Sequence, residues 1–170
     1  GEGHPGFAAI GGTWLYLWRE GVPEGDVSFP GPWLAVDGLG ALARLDGGLA
    51  FGAPEASVVA FEDVGAVVLR GAPADDGEVY LVVTGEREGQ RVGETVAGGD
   101  FLGNGGADVA FTEAPDGGAV RLHVADGAGQ GLLSVSDVPV DLALGEGTFR
   151  IASAGDTDRD GIDDLLVGGT

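Results

Sequence analysis

Residues 154–170 read AGDTDRDGIDDLLVGGT: Asp156, Asp158 and Asp160 alternate, Gly161 follows, and Asp164 closes a nine-residue loop. These aspartates, with Asp163 beside them and only Arg159 between, repel one another unless a cation sits among them. Side chains at loop positions 1, 3, 5 and 9 can converge on one point. The Ile162 carbonyl can add an oxygen at position 7, and Gly161 permits the sharp turn. Calcium takes six to eight such oxygens, so this set with water would fill its shell. The loop starts like an EF-hand and ends differently. Position 12 is Val167, and Leu165-Leu166-Val167-Gly168-Gly169 is a short apolar run closed by glycines. It predicts a buried strand, not an exiting helix.

The pattern D-x-D-x-D-G-x-x-D-L-L-V-G-G resembles the calcium loop and following strand of an FG-GAP repeat, the blade unit of the integrin α-chain β-propeller. Phe51-Gly52 and Gly71-Ala72-Pro73 resemble the signposts that name that family, and Gly77-Glu78-Val79-Tyr80-Leu81 resembles its next strand. Residues 57–64 between them lack alternating acids, and no metal is expected there. A further copy runs from Val92-Gly93 through Gly99-Asp100-Phe101-Leu102-Gly103-Asn104-Gly105-Gly106-Ala107-Asp108 to Val120-Arg121-Leu122. Asp100, Asn104, Gly106 and Asp108 hold positions 1, 5, 7 and 9, but position 3 is Leu102, which cannot coordinate. That loop is a weak site or a structural relic. Asp100 to Asp156 and Asp108 to Asp164 are both 56 residues apart.

The resemblance implies an all-β, propeller-like fold in one domain over 1–170. It covers repeats near 51–83, 92–124 and 147–170 and matches 1–50 poorly. Repeats of about 40–60 residues leave room for about three to four short antiparallel blades, fewer than most propellers have. The chain is then a small or degenerate propeller, a fragment, or a piece completed by self-association. Val67-Val68-Leu69, Val109-Ala110-Phe111 and Leu165-Leu166-Val167 are expected as inner strands packed between neighbouring blades. Val138-Pro139-Val140-Asp141-Leu142 is expected as an outer strand. Thr13-Trp14-Leu15-Tyr16-Leu17-Trp18 is expected to pair with Leu165–Val167 and close the last blade.

Composition agrees with many short strands. Glycine supplies 35 of 170 residues without a G-X-Y period, which excludes collagen, and an apolar content of 44% argues against disorder. Net charge is −20, from 28 acids against 8 bases, all arginine. That balance disfavours nucleic acid and anionic membranes and suits divalent cations; a salt-adapted source would produce the same acidity. No cysteine is present, so disulfides and thiolate metal sites are excluded. No apolar run reaches membrane-spanning length, so no membrane insertion is expected. The start at Gly1 without Met suggests a processed chain or excised piece, and a missing leader is no argument for the cytoplasm.

The segment Gly38-Leu39-Gly40-Ala41-Leu42-Ala43 matches G-x-G-x-x-A, but Asp46-Gly47-Gly48 breaks the chain before a helix can form. A glycine turn is expected there. His4, in a loop, and His123, on a strand, stand beside no patterned Ser or Asp set, and no nucleophile elbow occurs. The expected function is therefore a Ca2+-stabilised extracellular or cell-surface adhesion module without catalytic activity, which the resemblance implies, with a protein or carbohydrate ligand. The alternative is a propeller associated with, or excised from, a secreted hydrolase or lyase.

Overall fold

The computed structural model describes residues 7–11, 14–19, 22–26, 34–35, 40–45, 48–58, 61–71 and 79–170. His4, residues 36–39 of the glycine segment, and residues 72–78 of the signposts lie outside them. Among the described residues there is no α-helix, and so no helix long and apolar enough to cross a membrane. The protein is all-β, built from several mostly antiparallel sheets, and the described residues form no closed barrel or propeller.

Strands β1 (Phe7–Gly11), β2 (Trp14–Arg19) and β3 (Val22–Asp26) form a meander, and β4 (Leu34–Ala35) pairs with β7 (Ser57–Val58). A five-stranded sheet follows, made of β5 (Ala41–Leu45), β6 (Gly48–Ala53), β8 (Ala66–Gly71), β9 (Val79–Thr84) and β13 (Gly131–Ser134), in the order β13-β9-β8-β6-β5. Gly40 donates to the Gly52 carbonyl at 2.9 Å and leads directly into β5, so a strand and not a helix follows it. A four-stranded sheet holds β10 (Val92–Gly99), β11 (Asp108–Glu113), β12 (Val120–Ala125) and β14 (Val140–Gly145) in that order. The outer strand expected at 138–142 is β14, displaced toward 145. The hairpin of β15 (Phe149–Gly155) and β16 (Asp164–Gly169) ends the chain.

Between β12 and β14 the chain leaves its own sheet. β13 runs parallel to β9, then a 3-10 turn at Val135–Asp137 returns it to β12. Ser136 donates to Glu86 at 2.8 Å, and Ser134 donates to the same oxygen. Val135 and Val138 are buried beside this crossing, so it fastens the two sheets together.

Side-chain alternation with period 2 separates the core into two layers. Val67, Leu69, Leu81, Val83, Val96, Val109 and Phe111 fill the space between the two large sheets. Ala97, Ala110, Leu122 and Val124 face the other way, where Ile151 and Leu165 of the final hairpin, with Phe101, Leu102 and Leu144, cover them. The molecule from β5 onward is thus three layers: five strands, four strands, then the hairpin.

Two expectations are corrected and one holds in part. Of the runs expected as inner strands, Val109-Ala110-Phe111 in β11 is packed on both faces, with Val109 and Phe111 toward the first layer and Ala110 toward the second, and Val67-Val68-Leu69 in β8 is fully buried. β10, which precedes its loop, also touches both neighbouring layers. β10 can take that position because Gly93 and Gly98 let its backbone meet the first sheet directly. Leu165–Val167 does form a strand, but Leu166 and Val167 are 62% and 43% exposed because, among the described residues, only β15 pairs with it. β2 cannot be its missing neighbour, since β1 and β3 already occupy both hydrogen-bonding edges of β2.

A Cβ at Gly52 would overlap the Gly93 carbonyl oxygen, and one at Gly93 would lie 3.0 Å from the Gly52 Cα. Gly52→Ala should therefore force β6 and β10 apart and cost about 1–3 kcal/mol by overpacking. A lower urea midpoint with an unchanged slope is the expected result; an unchanged midpoint would show that the layers can separate freely.

Candidate functional site

The hairpin register sets Gly155 opposite Asp164, so the chain must reverse within residues 156–163. Gly161 (φ 91°) and Arg159 (φ 67°) take the left-handed conformations the reversal requires. Main-chain N–H groups then turn toward the aspartates. Asp160 N–H is shared between Asp156 and Asp158, at 3.1 Å each. Gly161 N–H donates to Asp156 at 3.0 Å, and Ile162 N–H to Asp160 at 2.8 Å. Thr157 donates its N–H (2.9 Å) and its hydroxyl to Asp164, and these bonds hold that carboxyl below the usual aspartate range.

Carboxylate oxygens of Asp156, Asp158 and Asp160 lie within 4.8 Å of one another, all on exposed side chains. Oxygens around a calcium ion at 2.3–2.6 Å are at most about 5 Å apart, so the cluster has the dimensions of a hard-cation shell. Asp164 sits at the loop's closing position, bound to Thr157 instead of standing in that group of three.

The first loop repeats this construction 56 residues earlier. β11 begins at 108 and ends at 113, against 164 and 169 for β16. Asn104 and Gly105 N–H donate to Asp100 at 3.0 and 2.9 Å, as Asp160 and Gly161 do to Asp156. Gly106 N–H donates to Asn104 at 2.8 Å, matching Ile162 to Asp160, and Gly103 (φ 65°) stands where Arg159 does. The two loops share one backbone design with different side chains.

Asp108 differs most from its counterpart. It is fully buried; its Oδ2 accepts from Leu102 N–H at 2.7 Å, and its Oδ1 has no hydrogen-bond partner. Burial pushes its carboxyl up, with Asp126 and Asp100 adding in the same direction. Leu102, at the position of a missing ligand, packs into the layer between the four-stranded sheet and the final hairpin. Its role is apolar.

Asp163 is the residue that sequence reasoning left without a role. Its Oδ2 accepts from Asp100 N–H and its own N–H donates to the Asp100 carbonyl, both at 2.9 Å. The two loops therefore lie side by side. A cleft of about 500 Å³ beside them is lined by Arg44, Leu45, Gly98, Gly99, Asp100 and Asp163 among others.

A second titratable cluster lies at the opposite end of β11. Glu113 (3% exposed) accepts from His123 Nε2 at 3.0 Å and from Gln90 at 2.9 Å, with Arg87 at 3.5 Å. His123, itself 3% exposed, stacks on Phe111 with ring centroids 5.3 Å apart, and its Nδ1 lies 4.0 Å from Asp141, which pairs with Arg121. Burial pushes the Glu113 carboxyl up, but the bonds from His123 and Gln90 and the nearby positive charge outweigh it, and the net direction is down. Both side chains are buried, and their bond ties β11 to β12.

No protein-family model and no curated protein sequence matches this chain.

Two predictions follow from these side chains. Leu102→Asp should destabilise the ion-free protein by about 2–5 kcal/mol, because a carboxylate replaces a packed leucine; equal stability would show that Leu102 is dispensable to the core. For Glu113, a carboxyl lowered on folding stabilises above its unfolded value, about 4.3, and that contribution disappears as pH falls through the folded value. Glu113→Gln should thus lose about 1–3 kcal/mol at pH 7. The gap from wild type should narrow below about pH 4, as read by urea titration at each pH; a gap independent of pH would refute the ionised pairing.

Proposed function

We propose that the chain is a calcium-stabilised, non-catalytic binding module built from FG-GAP-type blades of a β-propeller. The observation that carries this reading is the nine-residue loop at 156–164. Its three convergent carboxylates lie within 4.8 Å, and its main chain is organised by hydrogen bonds to them. Asp156, Asp158, Asp160 and Asp164 with the Ile162 carbonyl would hold the ion. Asp100, Asn104, Gly106 and Asp108 form the weaker second set. Calcium there neutralises clustered charge and fixes where β16 and β11 begin; it is a staple.

Sheet order supports the blade reading. β10-β11-β12-β14 is an antiparallel four-stranded sheet of blade size, and β15-β16 would be the first two strands of another; the five-stranded sheet departs from that pattern, since β5 adds an edge strand and β13 joins β9 in parallel. The open edge of β16, with Leu166 and Val167 exposed, is where a further strand or self-association would complete that blade. Ligand carboxylates this exposed suit the weak range of extracellular calcium modules, about 10⁻⁴–10⁻³ M. That range favours a secreted or cell-surface setting. A protein or carbohydrate ligand would dock on the face that carries both loops.

Calcium at about tenfold over its dissociation constant should stabilise the fold by about 1.4 kcal/mol, raising Tm by about 3–6 °C. Asp160→Ala should remove most of that shift. A wild-type melting curve indifferent to both calcium and chelator overturns the calcium reading.

A further inference from the structure

We propose that the two aspartate loops act as one cooperative two-cation unit, in which the 156–164 loop pre-orders the 100–108 loop through Asp163. This rests on the calcium reading above and adds to it a coupling between sites.

The contact is specific. Asp163 occupies loop position 8, next to the closing ligand, and its side chain is bound to the main chain of the other loop. The two 2.9 Å hydrogen bonds between Asp163 and Asp100 fix both the N–H and the C=O of Asp100. Asp100 is position 1 of the first loop and the acceptor around which Asn104 and Gly105 turn. Ile162, whose carbonyl is the position 7 ligand, lies over Gly103: a Cβ there would sit 2.8 Å from Ile162 Cγ1. Two consecutive residues of the second loop therefore position the first loop. The reverse clamp has no acceptor, since position 8 of the first loop is Ala107.

The first loop itself carries an independent sign of a missing ligand. Asp108 is wholly buried, its Oδ2 is held by Leu102 N–H of the loop, and its Oδ1 has no hydrogen-bond partner. A buried carboxylate oxygen left unpaired is costly, and a cation in the loop would satisfy it. With Leu102 supplying no oxygen and Asn104 no charge, this site has little affinity to use on ordering its own backbone. Ordering done in advance by the neighbouring loop lowers that cost, and the coupling is positive and reciprocal.

The test is calcium titration of the full chain by amide NMR, reading Asp100 and Asn104 for the first loop and Asp160 and Gly161 for the second. Asp160→Ala weakens the second site. It should lower calcium affinity at the first by about fivefold or more. In an Asp163→Ala background, adding Asp160→Ala should change the first site by less than about twofold, the range of independent sites. Asp163→Asn keeps an oxygen acceptor and the main-chain N–H, and should retain the coupling. Loss of coupling in Asp163→Asn would assign it to charge and overturn the clamp. So would first-site affinity insensitive to Asp160→Ala, or equally sensitive with and without Asp163. Calcium at 156–164 alone overturns the coupling and leaves the calcium reading intact; calcium at neither loop overturns both. Amide spectra of the sheet strands report whether each variant keeps its fold.

Discussion

The close backbone approach of β10 to the five-stranded sheet is the contact on which the layered structure depends. A Cβ at Gly52 would strike the Gly93 carbonyl, and one at Gly98 would strike the Arg44 carbonyl, so β10 meets β6 and β5 main chain to main chain at both of its ends. Between those points Val96 enters the first core layer while Ala97 faces the second. A strand with ordinary side chains at 93 and 98 would be held away by their bulk, and the tight packing that gives dispersion its strength would be lost. Because β10 also lies against β15, the same approach decides where the final hairpin can sit, and hence where the two aspartate loops meet.

Much of this was legible in the sequence. The 56-residue recurrence survives as matching strands, matching left-handed positions and matching hydrogen bonds, because aspartate and glycine in tight loops dictate backbone shape locally. The strands around Val67, Val109 and Val120 followed from β-branched runs between turn residues. What the sequence left hidden is nonlocal. Nothing in Gly131–Ser134 indicates that it pairs parallel with β9 and not with its neighbours in the chain. The layer-facing role of β10 was hidden because VGETVAGG looks poor as a core strand; its glycines make it suitable, and that depends on a partner backbone no local pattern encodes. Asp163 looked like one more acid in an acidic run until its neighbour across the layer was known.

The two buried carboxylates of β11 show how a chain with net charge −20 tolerates acids inside. Glu113, at one end, is surrounded by donors: His123 and Gln90 bond it directly and Arg87 adds positive charge. Its environment favours the ion over the acid. Asp108, at the other end, accepts from Leu102 N–H on one oxygen and has no close partner on the other; the main chain of Gly127 also favours its ion, but burial and the nearby Asp126 and Asp100 outweigh both. One strand thus carries a carboxylate that its donors hold as the ion and a buried carboxyl whose surroundings disfavour the charge. Hydrogen-bond satisfaction, not burial alone, separates the two.

Leu102 shows how the two demands on a loop residue trade against each other. At the equivalent position of the second loop, Asp158 points outward with its carboxylate beside Asp156 and Asp160, and no layer covers it. At the first loop the final hairpin lies alongside, and Leu102 with Phe101 fills the interface against Ile151 and Leu165. A side chain at position 3 cannot both enter that apolar layer and reach a cation. The loop that is flanked on one side by another layer gains packing through a leucine, while the loop at the open end keeps all its acids. The apolar residue at position 3 is therefore a consequence of the loop's position in the stack, and the same adjacency brings Asp163 within reach of Asp100.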